Sequence, residues 1–479
     1  MKLKDLLKNV DVTNIIGDLD LEVKNVCIDT KSVIDKSLFI CIKGCNYDGH
    51  DYVEKAKEYG ACAIIAEREV ESNLPQIIVN NSRKAMSMVA SNFYGNADKK
   101  LRIIGVTGTN GKTTTAHFIT AIMTYAGYKC GLIGTLGIYY DNKLIEPTLT
   151  TPDPLLLHKT FSEMVNSGVE VVIMEVSAHA VYFDKVYGID FEFIAFTNFS
   201  QDHLDFFKTM ESYQDAKLKL FRENKIEYIV SNSDDELCRK IEKINNKTVT
   251  YGINNPSDVF AIDIDENIDG VRFVINLFDR IYEVKLNLIG KFNVYNALCA
   301  STICALFGIK TEMVIEGLSS IKGIAGRLEL VYSGDYMIFI DYAHSPDGLV
   351  KAINAVRAVS GGEIVCVFGC GGNRDVEKRE IMGRISGELA DFTIITSDNP
   401  RYEEPMEILY QIEKGIMNVT NKYVLIENRE DAINYAISNA KKGNVILIAG
   451  KGAENYQEVF GIKKLYNDKD TVKGLLGLL

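Results

Sequence analysis

A glycine-rich segment with a lysine lies between a strand-like run, Leu101–Val106, and a helix-like run, Thr114–Ala126. Glycines let backbone N–H groups approach a phosphate, and the N-terminus of the helix adds a positive dipole end. We expect Lys112 to contact the β and γ phosphates of a nucleotide and Thr113 to bind Mg²⁺ through its hydroxyl. The predicted ATP site comprises Gly108, Thr109, Asn110, Gly111, Lys112, Thr113 and Thr114.

The match to the general phosphate-loop pattern is imperfect, because Val106 stands where the first glycine of that pattern is expected. The alternative is a glycine-rich turn between a strand and a helix that binds no ligand. The lysine, the two threonines after it and the flanking elements favour ATP binding.

The elements that must position this loop predict an α/β protein of two to three domains, because 479 residues exceed the size of one hydrophobic core. Residues 1–97 indicate a small α/β domain. Residues 98–325 alternate strands and helices, which predicts a mostly parallel sheet covered by helices, with an antiparallel insertion or edge at 258–288. Residues 326–479 fit a second, doubly wound (Rossmann-like) domain. Its predicted strands are Met337–Asp341, Ile364–Phe368, Phe392–Thr396, Tyr423–Ile426 and Val445–Ala449.

The composition excludes several classes of partner. Lys and Arg number 53 against 65 Asp and Glu, and the net charge of -12 disfavours nucleic acid and anionic membranes. The N-terminal segment lacks the apolar stretch of a secretory signal, and no run of about 18 apolar residues indicates a membrane span. We therefore expect a cytoplasmic protein whose ten scattered cysteines are structural thiols without disulfides.

Further segments carry a family resemblance. Residues 174–179 read MEVSAH, residues 198–205 read NFSQDHLD, and residues 213–221 read YQDAKLKLF. These resemble the MEVSSH, NxSxDHLD and YxxAKxxLF motifs of the Mur ligase family, and the likeness covers nearly the whole chain. The resemblance implies that Glu175 and His203 join Thr113 at a metal centre. It also implies that Lys217 is carbamylated by CO₂ and helps to hold a second Mg²⁺. The alternative for Lys217 is a solvated surface lysine.

Three more motifs imply nucleotide contacts. The segments GKFNVYN at 290–296, GRLE at 326–329 and DYAHSPD at 341–347 resemble the family patterns GxFNxYN, GRxE and DYAHxP. The resemblance implies that an arginine of the hinge reaches ATP when the third domain closes. The residues that it adds to the ATP site are Asn293, Asn296, Arg327, Asp341, Tyr342 and His344.

The N-terminal segment DTKSV at 29–33 resembles a UDP-binding pattern in which Ser and Arg occupy the places of Thr30 and Lys31. The segment TTP at 150–152 resembles one that contacts a UDP-MurNAc-dipeptide. Lys185 stands where the family usually has Arg, so the charge is kept but the bidentate fork is lost. The implied contacts to the UDP-linked substrate are Thr30, Thr150, Thr151, Ser177 and Lys185.

The segments at 368–379, 397–401 and 449–454 resemble the family's amino-acid-binding motifs. The form DNPR at 398–401 is associated with ligases that use meso-diaminopimelate rather than L-lysine. Arginines offer forks for a carboxylate and a glutamate offers an anion for an ammonium. The alternative for Arg401 is a structural ion pair with Glu403 or Glu404. The implied amino-acid contacts are Arg374, Asp398, Asn399, Pro400, Arg401, Gly450 and Glu454.

Taken together, the resemblance implies an ATP-dependent ligase that adds meso-diaminopimelate to the D-Glu of UDP-MurNAc-L-Ala-D-Glu through an acyl phosphate. Its implied cofactors are two Mg²⁺ ions and the Lys217 carbamate, and a monomer is expected. The alternatives are an L-lysine ligase of the same step, a folylpolyglutamate synthase, which the UDP-type N-terminal segment disfavours, and a non-catalytic ATP-dependent assembly module.

Overall fold

The structure is a computed structural model that describes residues 1–44, 46–146, 149–245 and 247–478. The chain folds around three β-sheets that use successive stretches of sequence, and a two-stranded hairpin follows the third sheet. Helices pack against each sheet, so the predicted α/β class is confirmed, and all three sheets are mainly parallel. None of the described helices is long and apolar enough to cross a membrane.

The first sheet has the strand order β1-β5-β4-β3-β2, in which β1 is antiparallel to β5 and the other pairs are parallel. Helix α3 begins after Asn81, whose side chain accepts hydrogen bonds from the backbone N–H groups of Arg83 and Lys84. The elements are α1 Leu3–Leu6, β1 Val12–Ile16, β2 Asn25–Cys27, β3 Ser37–Ile40, α2 Val53–Glu58, β4 Ala61–Ala66, β5 Gln76–Val79 and α3 Ser82–Phe93.

The second sheet is the largest, with the order β16-β15-β14-β13-β12-β11-β6-β10-β7-β8-β9. Its centre is parallel, and every residue of β10 is buried, as expected for a strand covered on both faces. The strands are β6 Arg102–Thr107, β7 Cys130–Gly134, β8 Gly137–Tyr140, β9 Lys143–Ile145, β10 Val171–Glu175, β11 Phe191–Phe196, β12 Ile226–Asn232, β13 Thr248–Gly252, β14 Val259–Asn267, β15 Gly270–Leu277 and β16 Arg280–Leu286. The helices are α4 Lys112–Tyr125, α5 Pro154–Asn166, α6 Ala178–Tyr182, α7 Leu204–Phe207, α8 Met210–Glu223, α9 Cys238–Glu242, α10 Phe292–Leu306 and α11 Thr311–Ser320.

Both edges of this sheet are antiparallel. Strands β14, β15 and β16 pair antiparallel at one edge, which confirms the antiparallel edge predicted at 258–288. At the other edge β7, β8 and β9 form an antiparallel meander that the sequence did not indicate.

The third sheet has the order β17-β18-β22-β19-β20-β21, with β17 antiparallel and the rest parallel. Its five parallel strands are those predicted, with ends that agree to within one residue. The elements are β17 Glu329–Ser333, β18 Met337–Asp341, α12 Pro346–Val359, β19 Ile364–Phe368, α13 Glu377–Leu389, β20 Phe392–Ile395, α14 Pro405–Ile416, β21 Tyr423–Leu425, α15 Arg429–Ser438, β22 Val445–Ala449, β23 Tyr456–Val459, β24 Ile462–Leu465 and α16 Asp468–Leu475.

Polar side chains join the helices and loops around the three sheets. Ser87 of α3 donates a hydrogen bond to the carbonyl of Asp184 at 2.7 Å, which ties the first sheet's layer to the second. Asn110, in the loop after β6, donates to Asp347 of α12 at 2.7 Å, which ties the second to the third. The nine cysteines in the described ranges are free thiols, and Cys45 lies outside those ranges.

Candidate active site

A cavity of about 1100 Å³ lies between the second sheet and the third. Parallel strands of both sheets end at this cavity, which is where ligands bind in open α/β sheets. Most of the residues predicted for ATP and metal binding share its wall. The predicted site residues that line it are Thr109, Asn110, Gly111, Lys112, Thr113, Thr114, Thr150, Thr151, Glu175, Ser177, Lys185, His203, Asn293, Asn296, Arg327, Asp341, Tyr342, His344 and Arg374.

The glycine loop after β6 has the backbone shape that its sequence predicts. Gly111 has φ +86°, and a Cβ atom there would lie 2.4 Å from Oδ1 of Asn296. A side chain at this position would therefore clash as well as strain the backbone. Nζ of Lys112 donates to the carbonyls of Gly108 at 3.0 Å and Thr109 at 2.8 Å, so the lysine folds back over its own loop. Burial lowers the pKa of Lys112.

An oxygen-rich cluster forms where β10 ends beside the first turn of α4. Oγ1 of Thr113 donates to Oε2 of Glu175 at 3.1 Å, and the backbone N–H of Thr135 donates to Oε1 at 2.8 Å. Hydroxyl and carboxylate oxygens are the ligands that Mg²⁺ prefers, so Thr113 and Glu175 fit a Mg²⁺ site. Among the described residues, no three His, Cys, Asp or Glu side chains form a preformed metal cage.

Three histidines, His179, His203 and His344, line the same cavity. The rings of His179 and His203 lie 4.9 Å apart, centre to centre. Oδ2 of Asp202 lies 3.5 Å from Nε2 of His203 and 3.8 Å from Nε2 of His344. Burial lowers the pKa of His203 well below its ordinary value, so its ring is neutral at pH 7.

Lys217 of α8 points into the protein interior. Its side chain is 1% exposed, so the alternative of a solvated surface lysine is wrong. Nζ lies 4.8 Å from the centre of the Tyr213 ring. Burial, and next the charge of Lys112, lower the pKa of Lys217 well below its ordinary value.

The start of the third sheet's layer closes the cavity over the phosphate loop. Nη2 of Arg327 donates to Oγ1 of Thr113 at 2.9 Å, and its guanidinium lies 4.6 Å from the centre of the Tyr342 ring. The Asp341 carboxylate accepts backbone N–H groups of Leu328 at 2.7 Å and Ala343 at 2.8 Å. These bonds fix the loop that carries Tyr342 at the cavity wall.

Two asparagines of α10, Asn293 and Asn296, are hydrogen-bonded to each other next to the phosphate loop. Nδ2 of Asn296 donates to Oδ1 of Asn293 at 3.0 Å, and Oδ1 of Asn296 accepts from Oγ1 of Thr115 at 3.3 Å. Both side chains are nearly fully buried. The position of Asn296 beside Gly111 accounts for the glycine there.

Four of the five residues predicted for the UDP-linked substrate line the cavity. Oγ1 of Thr151 donates to the carbonyl of Glu175 at 2.9 Å and accepts from the backbone N–H of Ser177 at 3.1 Å. Nζ of Lys185 lies 2.8 Å from Oδ1 of Asp153. Thr30, the fifth residue, lies in a short 3₁₀ helix next to the first sheet and not in the cavity wall.

The residues predicted to bind the amino acid divide into two groups. Arg374 lines the cavity, and its Nη1 lies 3.8 Å from Oδ2 of Asp205. The others do not line the cavity and form a separate cluster at the loops after β20 and β22. In that cluster Nδ2 of Asn399 donates to Oε2 of Glu454 at 2.9 Å. The members of the cluster are Asp398, Asn399, Pro400, Arg401, Gly450 and Glu454.

The alternative interpretation of Arg401 was a structural ion pair with Glu403 or Glu404, and the structure places Arg401 elsewhere. Glu403 pairs instead with Arg379, whose Nη1 lies 2.8 Å from Oε2 of the glutamate. Nη1 of Arg401 donates to the carbonyl of Gly372 at 2.7 Å, and its Nε lies 3.9 Å from Oε2 of Glu458. The alternative of an ion pair between Arg401 and Glu403 is therefore wrong, because Arg379 of α13 occupies the carboxylate of Glu403.

Sequence reasoning assigned no role to several residues that the structure places at the site. Asp202 lies in the motif at 198–205 and Asp347 in the motif at 341–347, so the sequence could have indicated both carboxylates as site residues. Tyr213, whose hydroxyl lies 3.2 Å from Oγ1 of Thr109, also lies in a motif. Thr135 had no local signal, because only folding brings it to Glu175.

Comparison with known proteins relates the chain to one family. The model of the Mur ligase middle domain matches residues 106–304, the Mur ligase glutamate ligase domain matches 326–452, and the Mur ligase family catalytic domain matches 22–94. The UDP-N-acetylmuramoyl-L-alanyl-D-glutamate--2,6-diaminopimelate ligase 1 of Clostridium acetobutylicum is 44% identical over an alignment that covers 98% of each chain.

Solved structures agree with this relation. A UDP-N-acetylmuramoyl-L-alanyl-D-glutamate--2,6-diaminopimelate ligase superposes with a TM-score of 0.72 at 28% identity, covering 100% of this chain and 99% of that one. The MurF ligase of Thermotoga maritima, solved in complex with ADP, has a TM-score of 0.64 at 20% identity, covers 95% and 97% of the two chains, and supports the fold alone. The chain therefore belongs to the Mur ligase family.

Proposed function

We propose that this protein is an ADP-forming ligase of peptidoglycan precursor synthesis, which joins meso-diaminopimelate to the D-Glu of UDP-MurNAc-L-Ala-D-Glu. One observation carries the proposal: a single cavity holds the phosphate loop, the Glu175 cluster and Arg374. The 44% identical ligase of C. acetobutylicum, whose name states this reaction, supports the choice of substrates.

In the first step a carboxylate oxygen of the D-Glu attacks the γ-phosphorus of ATP, and the bond to the bridging oxygen breaks to release ADP. Lys112 would offset the negative charge of the phosphates. Its Nζ donates to two loop carbonyls, and bonds to phosphate oxygens would replace them when ATP binds. Arg327 reaches the same place from the third sheet's layer.

Thr113 and Glu175 would hold one Mg²⁺, because their oxygens already meet at 3.1 Å at the edge of the cavity. When bound, Mg²⁺ neutralises charge on the transferring phosphoryl group. His203 and a carbamylated Lys217 would hold the second ion. Both lie near Tyr213 of α8, whose ring centre is 5.8 Å from that of the His203 ring and 4.8 Å from Nζ of Lys217.

The environment of Lys217 supports carbamylation. Burial lowers the pKa of the Lys217 amine and so favours its neutral form, which is the form that attacks CO₂. The N–C bond forms as the nitrogen loses a proton, and the product is an anion. The positive charge of nearby Lys112, which disfavours an ammonium here, would favour that anion.

In the second step the amine of the incoming amino acid attacks the carbonyl carbon of the acyl phosphate, and phosphate leaves as the amide forms. Arg374 and Arg401 would bind carboxylates of that amino acid, and Glu454 an ammonium. Closure of the third sheet's layer, held by the contact between Arg327 and Thr113, would keep water from the acyl phosphate.

The three parts of the chain divide this work. We assign the UDP end of the substrate to residues 1–97, ATP to residues 98–325 and the amino acid to residues 326–479. In this division Thr30 would contact the UDP group. The muramyl dipeptide would be contacted by Thr150, Thr151, Ser177 and Lys185.

A cytoplasmic location suits this chemistry, since ATP and UDP-linked precursors are cytoplasmic compounds and the described cysteines are free thiols. The net charge of -12 argues against nucleic acid or an anionic membrane as a partner.

The direct test mixes the purified protein with ATP, Mg²⁺, UDP-MurNAc-L-Ala-D-Glu and meso-diaminopimelate, and follows ADP release and the mass of the UDP-linked product. We expect one amide formed per ADP, with no product when any substrate is omitted. ATP binding without amide formation would favour the non-catalytic assembly module. A product formed with L-lysine but not with meso-diaminopimelate would favour the lysine ligase.

A further inference from the structure

A buried ion pair lies beneath the two loops that carry the proposed amino-acid contacts. Arg429, the first residue of α15, and Asp468, the first residue of α16, both have side chains that are 0% exposed. Nε and Nη2 of Arg429 donate to the two carboxylate oxygens of Asp468, each at 2.8 Å. This fork is the strongest form of an arginine–carboxylate contact and fixes the plane of the guanidinium.

The remaining contacts of Arg429 hold the backbone of both loops. Its Nη2 donates to the carbonyl of Ala449 at 2.9 Å, and its Nη1 to the carbonyl of Ser397 at 3.4 Å. Ser397 directly precedes the loop 398–401, and Ala449 directly precedes the loop 450–454. One guanidinium therefore fixes the bases of two loops that follow different strands.

The tips of the same loops are joined by a second buried cation. Lys451 is 0% exposed, and its Nζ donates to Oδ1 of Asn399 at 3.1 Å and Oε2 of Glu454 at 3.0 Å. Asn467, next to Asp468, donates through Nδ2 to the carbonyl of Glu454 at 3.1 Å. Both loops are thus held at base and tip before any amino acid binds.

We infer that Arg429, anchored by Asp468, is a positioning residue for the incoming amino acid: it holds the loops 398–401 and 450–454 in the geometry that binds it. This inference rests on the proposed function, which assigns the amino acid to those loops. Arg429 is too deeply buried to touch a substrate, so it acts through the two carbonyls that it binds. Stability alone does not require this arrangement, because apolar residues often replace a buried ion pair without loss.

The test is Arg429→Lys, which keeps the charge and one contact to Asp468 but cannot reproduce the planar fork. We expect the KM for meso-diaminopimelate to rise about 10- to 100-fold, since small displacements of positioning groups have effects of this size. The KM values for ATP and UDP-MurNAc-L-Ala-D-Glu should stay unchanged. More ADP should be released per amide, because an acyl phosphate that waits for its amine reacts with water.

The matched control is Arg357→Lys. Arg357 also pairs with an aspartate, Asp391 at 2.7 Å, and donates to the carbonyls of Leu389 and Gly362, but at the opposite end of β20. This control should leave all three KM values unchanged. If Arg429→Lys does not fold, Asp468→Asn, which keeps the shape of the anchor, is measured in the same way.

Two results would overturn the inference: an unchanged KM for meso-diaminopimelate in the folded variant, or an equal rise in all three KM values. Failure of the proposed function is distinguishable, because it appears in the unaltered protein as the absence of amide formed with meso-diaminopimelate. Failure of the inference appears only in the variant.

Discussion

Nζ of Lys217 lies 4.8 Å from the centre of the Tyr213 ring, and the Tyr213 hydroxyl lies 3.2 Å from Oγ1 of Thr109 in the phosphate loop. A buried amine is thus connected to the nucleotide site through one aromatic side chain. This relationship gives the carbamate proposal its structural basis.

Lys217→Ala should nearly abolish ligation, because the variant lacks the anion proposed to hold the second Mg²⁺. Short-chain carboxylic acids should restore part of the activity by placing a carboxylate in the space left behind. Turnover is measured by ADP release with all substrates present. The control is Lys219→Ala on the same helix, whose ammonium pairs with Asp184 at 2.7 Å and should be dispensable. Undiminished turnover in Lys217→Ala would exclude the assignment.

The lowered pKa of Lys217 predicts a pH-dependent stability. Between that lowered pKa and the unfolded value of about 10.4, the unfolded chain binds a proton that the folded chain does not, so stability rises with pH. Lys217→Met should flatten this rise. Part of the rise should remain in this variant, because burial also lowers the pKa of Lys112. Urea unfolding without bicarbonate between about pH 7 and 9 measures the effect, and an unaltered slope in Lys217→Met would contradict it.

Lys112→Ala should remove ATP turnover without removing binding of the UDP-linked substrate. The lysine lies over the phosphate loop, whereas Thr151, Ser177 and Lys185 lie at another part of the cavity wall. Calorimetric titration with UDP-MurNAc-L-Ala-D-Glu and an ADP-release assay separate the two effects. Loss of both in a folded variant would show that the two ligands do not use separate residues.

The phosphate loop was predictable from sequence because its signals are local. A strand, two glycines, a lysine and a helix follow one another within Leu101–Tyr125, and the structure keeps that order. The five parallel strands of the third sheet were predictable for the same reason. Each is a short apolar run bounded by polar or turn-forming residues.

Contacts between distant segments were not predictable in this way. The sequence neighbours Arg401 and Glu403 suggested an ion pair, but Glu403 pairs with Arg379, 24 positions earlier. Thr135 meets Glu175 only because β7 lies beside β10 in the sheet. Such contacts between side chains depend on the order of the strands in the sheet, which cannot be read from a single sequence.

Arg401→Ala should raise the KM for meso-diaminopimelate steeply and reduce its advantage over L-lysine. Its guanidinium is held at Gly372 and Glu458, so a carboxylate of the substrate would meet a fixed fork. The KM for ATP is the internal control, because Arg401 lies outside the wall of the nucleotide cavity. A KM for meso-diaminopimelate that does not change would remove Arg401 from the amino-acid site.

The ratio of kcat/KM for meso-diaminopimelate to that for L-lysine tests the central claim most directly. L-Lysine lacks the distal carboxylate, and a site that leaves buried polar groups unpaired rejects such an analogue by about 10⁴-fold or more. The measurement uses the unaltered protein with saturating ATP and UDP-MurNAc-L-Ala-D-Glu. We predict a ratio of that size in favour of meso-diaminopimelate. Comparable values for the two amino acids would contradict the account and favour the lysine ligase.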